Sequence, residues 1–279
     1  MRRCSGIKDH DLLSIKKFSE TTGITQAALR HYDKVNLFQP VKREDNGYRY
    51  YSVRQAVTVN FINVLNSAGI PLKRIAEAKK NKSPERMLEL LRKQEFELNQ
   101  ELYRLQQAYA IIHTYYEMIQ EGLLANEHEI SICRMDAAPI ELGPVNNFNS
   151  GYFYESFFEF LKQMTDSKVD PAYPAGGFYE SIEAFANAPG QPTRYFSHVP
   201  AGSDTKDAGL YLVAYTRGYY GSLGDAAQRI QAYALEHGYT FTGPVYEMYL
   251  HDEITVDDYD KYLIQVSAPV KKQIPHGSR

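Results

Sequence analysis

The sequence predicts an α+β protein in several parts, with antiparallel sheets in the last and largest part. Two short helical patterns followed by a hairpin signal occupy residues 14–52. A seven-residue repeat of apolar residues begins after Pro84, and short alternating runs broken by Gly and Pro replace it from about Glu129. We therefore expect a helix-and-hairpin domain at 1–82, a long helix at 83–122, a linker at 123–128 and an α+β domain at 129–272.

The first part reads as a helix–turn–helix. Ser14 precedes an apolar-periodic run and can cap a first helix through its hydroxyl. Gly23 interrupts that run and suits the positive φ that a sharp turn between helices demands. Thr25 then caps a second helix. The residues of this helix with the spacing to face inward are Ala28, Leu29 and Tyr32.

A small hairpin, or wing, follows the two helices. Pro40 stops the helical pattern, and Asn46-Gly47 is a strong hairpin signal. Tyr48 to Tyr51 form the return strand, in which alternate residues face the helices and the solvent. Arg49 is the best candidate for a phosphate contact because its planar fork matches phosphate oxygens at two positions.

The distribution of charge favours nucleic acid as the partner of this head. Residues 1–82 carry 16 Lys and Arg against 7 Asp and Glu, whereas residues 126–279 carry 11 against 20. A basic head is the electrostatic footprint of nucleic-acid binding, and it argues against the alternative of a winged helix that binds protein. On the outer side of the second helix, the groups suited to base edges and phosphates are Thr25, Gln26, Arg30 and His31.

The long helix carries the clearest periodicity in the chain. Its seven-residue repeat runs for about four heptads, and Glu95 is the one polar exception at the companion positions. The helix is roughly 55 Å long at 1.5 Å per residue, and a seam this regular predicts a coiled coil and a homodimer. The alternative is a helix packed on its own domain. The seam residues are Leu91, Leu98, Leu105, Ile112 and Ile119, with Leu88, Leu102, Tyr109 and Tyr116 as companions.

The last part combines short strands with two amphipathic helices. The expected strands are ISICRM, GGFYES, TRYFSHV, AGLYLVAYTRGYY, TGPVYEMYL and DKYLIQVSA. The expected helices are Tyr152–Met164 and Leu223–His237. One helix in each half, flanked by strands, suggests a tandem of two similar units.

Glu247 is an acid inside an otherwise apolar strand, in the run PVYEMY. On strict alternation it shares a face with Val245 and Tyr249. One interpretation is a surface Glu on an edge strand. The sharper one is an aromatic cage with a buried acid, made to receive a lipophilic cation, because a carboxylate facing an apolar interior is costly without a partner. Fifteen of the 23 tyrosines follow residue 125.

Several function classes lack their sequence signals. The two cysteines, Cys4 and Cys133, are too few for an iron–sulfur or thiolate metal site, and the histidines are scattered, so we expect no metal and no cofactor. There is no phosphate-binding loop, dinucleotide fingerprint, nucleophile elbow or zinc-protease motif, so we expect no enzyme. Without an apolar run of about 20 residues we expect a cytoplasmic protein that does not enter the membrane.

The head resembles the MerR family of transcription regulators, on the helix–turn–helix ending in LRHYDKVNLF and on the wing GYRYYS. This sequence has His31 and Tyr32 where many relatives have two tyrosines. The resemblance implies an activator dimer on double-stranded promoter DNA, with the helix pair after the wing contacting the backbone. The expected DNA-contacting residues are Lys16, Thr25, Gln26, Arg30, His31, Tyr32, Tyr48, Arg49, Tyr50 and Lys73.

The last part resembles, more loosely, the GyrI-like effector domain of the drug-responsive, BmrR-like branch of that family. The resemblance implies binding of lipophilic cationic small molecules and distortion of a long promoter spacer so that RNA polymerase can engage it. An alternative is a GyrI-like small-molecule hydrolase fused to a DNA-binding head. The expected ligand-binding residues are Glu247, Tyr154, Tyr215, Tyr219, Tyr249 and Tyr259.

Overall fold

A computed structural model describes residues 11–80, 83–148, 153–219 and 221–273 of the chain. The chain forms two compact units, Met1–Leu105 and Gln106–Arg279, so the division falls inside the long helix. The finer domain boundaries expected from the sequence stay a prediction. Within the described ranges, no helix is long and apolar enough to cross a membrane.

The first unit contains the predicted helix–turn–helix and wing. Its helices are α1 (Ile15–Thr22), α2 (Gln26–Lys34), α3 (Gln55–Ser67) and α4 (Leu72–Lys80). Its strands are β1 (Leu12–Ser14), β2 (Lys42–Arg43) and β3 (Arg49–Ser52), in the antiparallel order β1-β3-β2. The strand β1 was not predicted. It pairs with β3 and adds a third strand to the wing.

Local signals in the sequence place these helices. The hydroxyl of Ser14 accepts from Lys17 N, and that of Thr25 accepts from Ala28 N, so both predicted caps are confirmed. Gly23 ends α1 with φ 73°, in the left-handed region. The two helices and the wing share one core, in which the Tyr51 ring stacks on Phe18 at 4.8 Å and on Phe38 at 5.5 Å between ring centroids. Burying a ring of this kind fully contributes roughly 1.5–3 kcal/mol to the free energy of folding.

The long helix α5 spans Pro84–Leu124, 41 residues and about 60 Å. Gly122, expected to close the helix, lies inside its last turn. Its role is close packing: a Cβ on Gly122 would lie 2.5 Å from His251 Nε2. The imidazole of His251 therefore packs directly against the helix backbone of the second unit.

The second unit is built on a nine-stranded antiparallel sheet. Its strands are β4 (Ile130–Met135), β5 (Ala138–Val145), β6 (Ala175–Tyr179), β7 (Arg194–His198), β8 (Asp204–Lys206), β9 (Gly209–Arg217), β10 (Tyr239–Phe241), β11 (Val245–His251) and β12 (Leu263–Lys272). Its helices are α6 (Phe153–Asp166), α7 (Ile182–Asn187) and α8 (Ala226–Glu236), with a one-turn 3₁₀ helix at Tyr259–Lys261. All six predicted strands and both predicted helices are present; β5, β8, β10 and α7 were not predicted.

The strand order supports the predicted tandem of two units. The sheet runs β4-β9-β12-β11-β6-β7-β5-β8, with β10 pairing on β12. The sheet order β6-β7-β5 on one side mirrors β11-β12-β9 on the other, and the two halves meet where β6 pairs with β11. In the chain, the first half is β5-α6-β6-α7-β7 and the second is β9-α8-β10-β11-β12, so α7 and β10 are where the halves differ. This central pair positions the cavity described below, and it places Glu247 in the middle of the sheet.

Candidate functional site

Most of the predicted DNA-contacting residues are exposed on the head. Thr25, Arg30 and His31 on or beside α2 are exposed, and Gln26 is half-buried with its amide oxygen accepting from Arg30 Nη2 at 3.4 Å. The other exposed members of the predicted set are Lys16 on α1, Lys73 on α4 and Tyr48 beside the wing. Tyr50 is half-buried, with Lys42 Nζ 6.0 Å from the centre of its ring.

Tyr32 corrects the predicted contact set. Its side chain is 4% exposed and belongs to the core shared by the helices and the wing. The sequence spacing predicts that Tyr32 faces inward from α2, and in the structure its ring lies in the core. Since α2 turns this ring away from the outer face, we assign Tyr32 to packing and not to DNA contact.

Arg49 is engaged inside the head by a buried acid. Asp33 on α2 is buried, and its carboxylate accepts from Arg49 Nε at 2.8 Å and from Arg43 Nη2 at 2.7 and 2.8 Å. A buried carboxylate is costly unless it is paired and hydrogen-bonded, so both arginines are held on Asp33. The wing is thereby tied to the recognition helix. A phosphate contact by Arg49 stays a prediction, and the Nε edge of its guanidinium is already used.

A cavity of about 620 Å³ lies in the second unit, beside the β6–β11 pair. Aromatic rings and carboxylates dominate its lining, which among the described residues contains no Lys, Arg or His. The rings are Tyr115, Tyr154, Phe157, Phe158, Tyr173, Tyr195, Tyr249, Tyr259 and Tyr262, and the carboxylates are Glu247, Asp252 and Glu253. A concave space lined by aromatic rings and carboxylates is suited to an organic cation.

Glu247 is the buried charge of this cavity. It is 3% exposed on β11, which lies between β12 and β6, so the interpretation as a surface acid on an edge strand is wrong. The hydroxyl of Tyr179 donates to Glu247 Oε2 at 2.6 Å and accepts from Gly190 N at 2.9 Å. Tyr249 also hydrogen-bonds the carboxylate. Burial raises the pKa of Glu247 to about 7, and the two tyrosine hydrogen bonds oppose that rise.

A glycine makes room for this carboxylate. Gly177 on β6 pairs with Glu247 on one side and with Tyr195 of β7 on the other. A Cβ at Gly177 would lie 3.0 Å from Glu247 Oε2 and 3.0 Å from Pro192 Cβ. A side chain at this position would therefore crowd the carboxylate and Pro192, and one of them would have to shift.

The predicted ligand-binding residues divide into two groups. Glu247, Tyr154, Tyr249 and Tyr259 all line the cavity, and their contact with a ligand stays a prediction. Tyr215 and Tyr219 are absent from the lining among the described residues and are corrections.

The corrections follow from sheet register. Tyr215 pairs with Gln265, which pairs with Met248, the neighbour of Glu247. Side chains paired across strands share a face, so Tyr215 lies on the opposite face of the sheet, where its hydroxyl donates to Glu121 Oε1 at 2.7 Å. Tyr219 follows β9 in a tight turn and is half-exposed.

Several lining residues were not predicted. Asp252, Glu253 and Tyr262 lie within a few residues of Tyr249 or Tyr259, so proximity in sequence was a usable signal. Tyr115, Tyr173 and Tyr195 come from α5, a loop and β7, and only the tertiary structure brings them together.

The heptad residues of α5 form an apolar stripe. Leu91, Leu98, Leu105 and Ile112 are between 38% and 68% exposed, and the companions Leu88, Leu102, Tyr109 and Tyr116 are exposed as well. Ile119 is half-buried. The opposite face of the C-terminal half packs on the second unit through Ala110, Ile111 and Met118. The alternative of a helix packed on its own unit holds for the C-terminal half. The coiled coil stays a prediction, and the exposed seam residues are available for it.

Comparison with known proteins finds one family model that matches the head. Residues 13–82 match the family model of the MerR helix–turn–helix regulatory proteins. The multidrug-efflux transporter 2 regulator of Bacillus subtilis is 26% identical over 92% of this chain and 95% of its own length. The multidrug-efflux transporter 1 regulator of the same organism is 29% identical over 50% of this chain and 52% of its own. A cryo-electron-microscopy structure of an EcmrR–DNA complex aligns with 94% of this chain and 100% of its own, at 17% identity and a TM-score of 0.40.

Proposed function

Because this chain carries the helix–turn–helix domain of the MerR family of transcription regulators, we propose that it is a homodimeric activator that binds promoter DNA and senses lipophilic organic cations. The observation that carries the ligand class is the cavity beside β6 and β11, with the buried Glu247 and an aromatic lining that lacks Lys, Arg and His among the described residues. A regulator of this kind acts in the cytoplasm.

The DNA-binding role is supported by the exposed polar face of α2 and by the basic charge of residues 1–82. In this proposal Arg30 and His31 would contact base edges, and Lys16, Tyr48 and Lys73 would contact the backbone on either side. Asp33 contributes indirectly, since it holds the wing in a fixed position relative to α2. Each head would read one half of a palindromic site.

The homodimer is supported by the apolar stripe of α5. Four seam residues, Leu91, Leu98, Leu105 and Ile112, are exposed in the single chain. Pairing with a second copy would bury them by knobs-into-holes packing. The two heads would then be held at a fixed separation, which a palindromic site requires.

Activation is proposed to act through DNA shape. The ligand-bound dimer would bend and untwist an overlong promoter spacer so that RNA polymerase can engage both of its elements. A ligand can shift this balance only if it binds the two states of the protein with different affinity. The two states would differ in the shape of the cavity, and this difference would give them different affinity for the ligand.

The hydrolase alternative is not favoured. The cavity lining among the described residues contains no Ser, Thr, Cys, His or Lys, so a hydrolase would have to work with the carboxylates and tyrosines alone. The two Bacillus relatives are named as regulators. We therefore propose that the protein is not an enzyme and returns its ligand unchanged.

The test is calorimetric titration of lipophilic quaternary cations and their neutral carbon isosteres into the full-length protein at pH 8. We expect cation-selective binding that Glu247→Gln weakens by about tenfold or more while DNA affinity is unchanged. The matched control is Glu236→Gln, which alters an exposed acid on α8 outside the cavity lining. Equal weakening of cations and isosteres would show a general loss of the cavity and would refute the charge-based role.

A further inference from the structure

Two further carboxylates line the cavity at a distance from Glu247. Asp252 and Glu253 follow the end of β11, and both belong to the lining. Asp252 is half-buried, and its Oδ1 accepts from Ile254 N at 3.0 Å. Glu253 is exposed, and the buried Tyr262 hydrogen-bonds to its carboxylate. The fold therefore orients both acids where the strand ends.

Aromatic rings lie beside these two acids, as they do beside Glu247. Tyr259 packs edge-on against Tyr262 with 5.7 Å between the ring centroids, and both rings line the cavity. Tyr115 of α5 also lines it. Burial, and then the charges of Asp252 and Glu253, raise the pKa of Tyr115, which is consistent with a position close to both acids. Aromatic rings next to carboxylates are suited to binding an organic cation.

One ligand can span the distance between the two acidic positions. Along β11, five residues separate Glu247 from Asp252, which is at most roughly 17 Å at about 3.4 Å per residue. A register shift near the end of the strand shortens this span. Two rings of the lining connect the positions. Tyr249 hydrogen-bonds Glu247 and packs edge-on against Tyr262 with 6.5 Å between the ring centroids, and Tyr262 hydrogen-bonds Glu253.

We propose that the cavity binds elongated dications, with one positive charge beside Glu247 and the other beside Asp252 and Glu253. The inference rests on the proposed function of the cavity and names its ligand class more narrowly. A second charge on the ligand must be desolvated when it enters an aromatic cavity, and a monocation avoids that cost. Attraction to Asp252 and Glu253 more than offsets the cost, so a dication binds more tightly than a monocation of the same shape.

The experiment compares two ligands that differ by one charge, by calorimetry at pH 8 with the full-length protein. One is a bis-quaternary alkane with lipophilic head groups, and the other is its isostere in which carbon replaces one of the two nitrogens. We expect the wild type to bind the dication about threefold to tenfold more tightly, the value of one half-buried ion pair. In a series of spacers from butane to dodecane, this preference should be largest at the intermediate lengths that span the two acidic positions.

Neutral variants test which acids hold the second charge. The double variant Asp252→Asn, Glu253→Gln should abolish or reverse the preference for the dication and change the affinity for the monocation less than about twofold. Asparagine and glutamine keep an acceptor oxygen for Ile254 N and for the Tyr262 hydroxyl, so we expect the variant to fold. The matched control is Asp257→Asn, which alters an exposed acid of the same loop outside the cavity lining and should retain the preference.

Two failures are distinguishable. Suppose that Glu247→Gln weakens the binding of both ligands, but the wild type binds the dication no more tightly or the double variant leaves their ratio unchanged. The dication inference is then overturned and the cation sensor stands. If neither ligand binds the wild type, the proposed function itself is overturned.

Discussion

The pH dependence of cation binding tests the role of Glu247 most directly. Burial holds the pKa of this carboxyl near 7, so Glu247 is mostly ionised at pH 8 and almost entirely protonated at pH 5. For a quaternary ligand, whose own charge does not change, only the protein titrates. The proton and the ligand then compete for the same carboxylate.

The size of the effect follows from that pKa. About one molecule in a hundred is ionised two pH units below the pKa, so affinity should fall by up to about 100-fold from pH 8 to pH 5, or about 2.7 kcal/mol, and by no more than Glu247→Gln loses at pH 8. The wild type should also release about half a proton for each ligand bound at pH 7. Calorimetric titration of the ligand in buffers with different ionisation enthalpies measures this release. Glu247→Gln should bind weakly at every pH and release no proton. A wild-type affinity that stays flat between pH 5 and pH 8 would refute the reasoning.

The raised pKa of Glu247 also predicts that the protein loses stability towards unfolding as the pH rises. Its folded-state pKa of about 7 lies above the ordinary 4.5, so between these values the folded protein holds a proton that the unfolded chain has lost. This contribution favours folding at low pH and is lost as the pH rises through 7. Urea unfolding should therefore show the wild type losing up to about 3 kcal/mol relative to Glu247→Gln between pH 4 and pH 8.

The remaining predictions concern the head and the dimer helix. Asp33→Asn should cost about 1–3 kcal/mol of stability and weaken DNA binding by releasing the wing. Arg49→Ala should lower DNA affinity as much as Asp33→Asn does if Arg49 acts only by anchoring the wing to Asp33. If Arg49 also contacts phosphate, Arg49→Ala should in addition lower the slope of log affinity against log salt concentration by about one. Leu98→Glu should convert the dimer to a monomer in sedimentation experiments, whereas Phe96→Glu, exposed on α5 but off the seam, should not. A dimer that survives Leu98→Glu would contradict the proposed interface.

The local structure was largely readable from the sequence because its causes are local. The hydroxyls of Ser14 and Thr25 cap helices whose first amides lie three residues away, and Gly23 supplies the positive φ at the turn. Alternation located six strands of the large sheet. The strand β5 was missed because Pro139, Gly143 and Pro144 interrupt its alternation, and α7 was missed because its six residues are too few to show a helical period.

The sequence by itself therefore determined the elements, the basic head, the heptad seam and the unusual acid at Glu247. Only the tertiary structure decided which residues share a site, because strand pairing fixes the face on which each side chain lies. Register placed Tyr215 on the opposite face from Glu247 and placed Tyr195 one glycine away from it. Those relations join residues dozens of positions apart, and a shift of one residue in any pairing would reverse them.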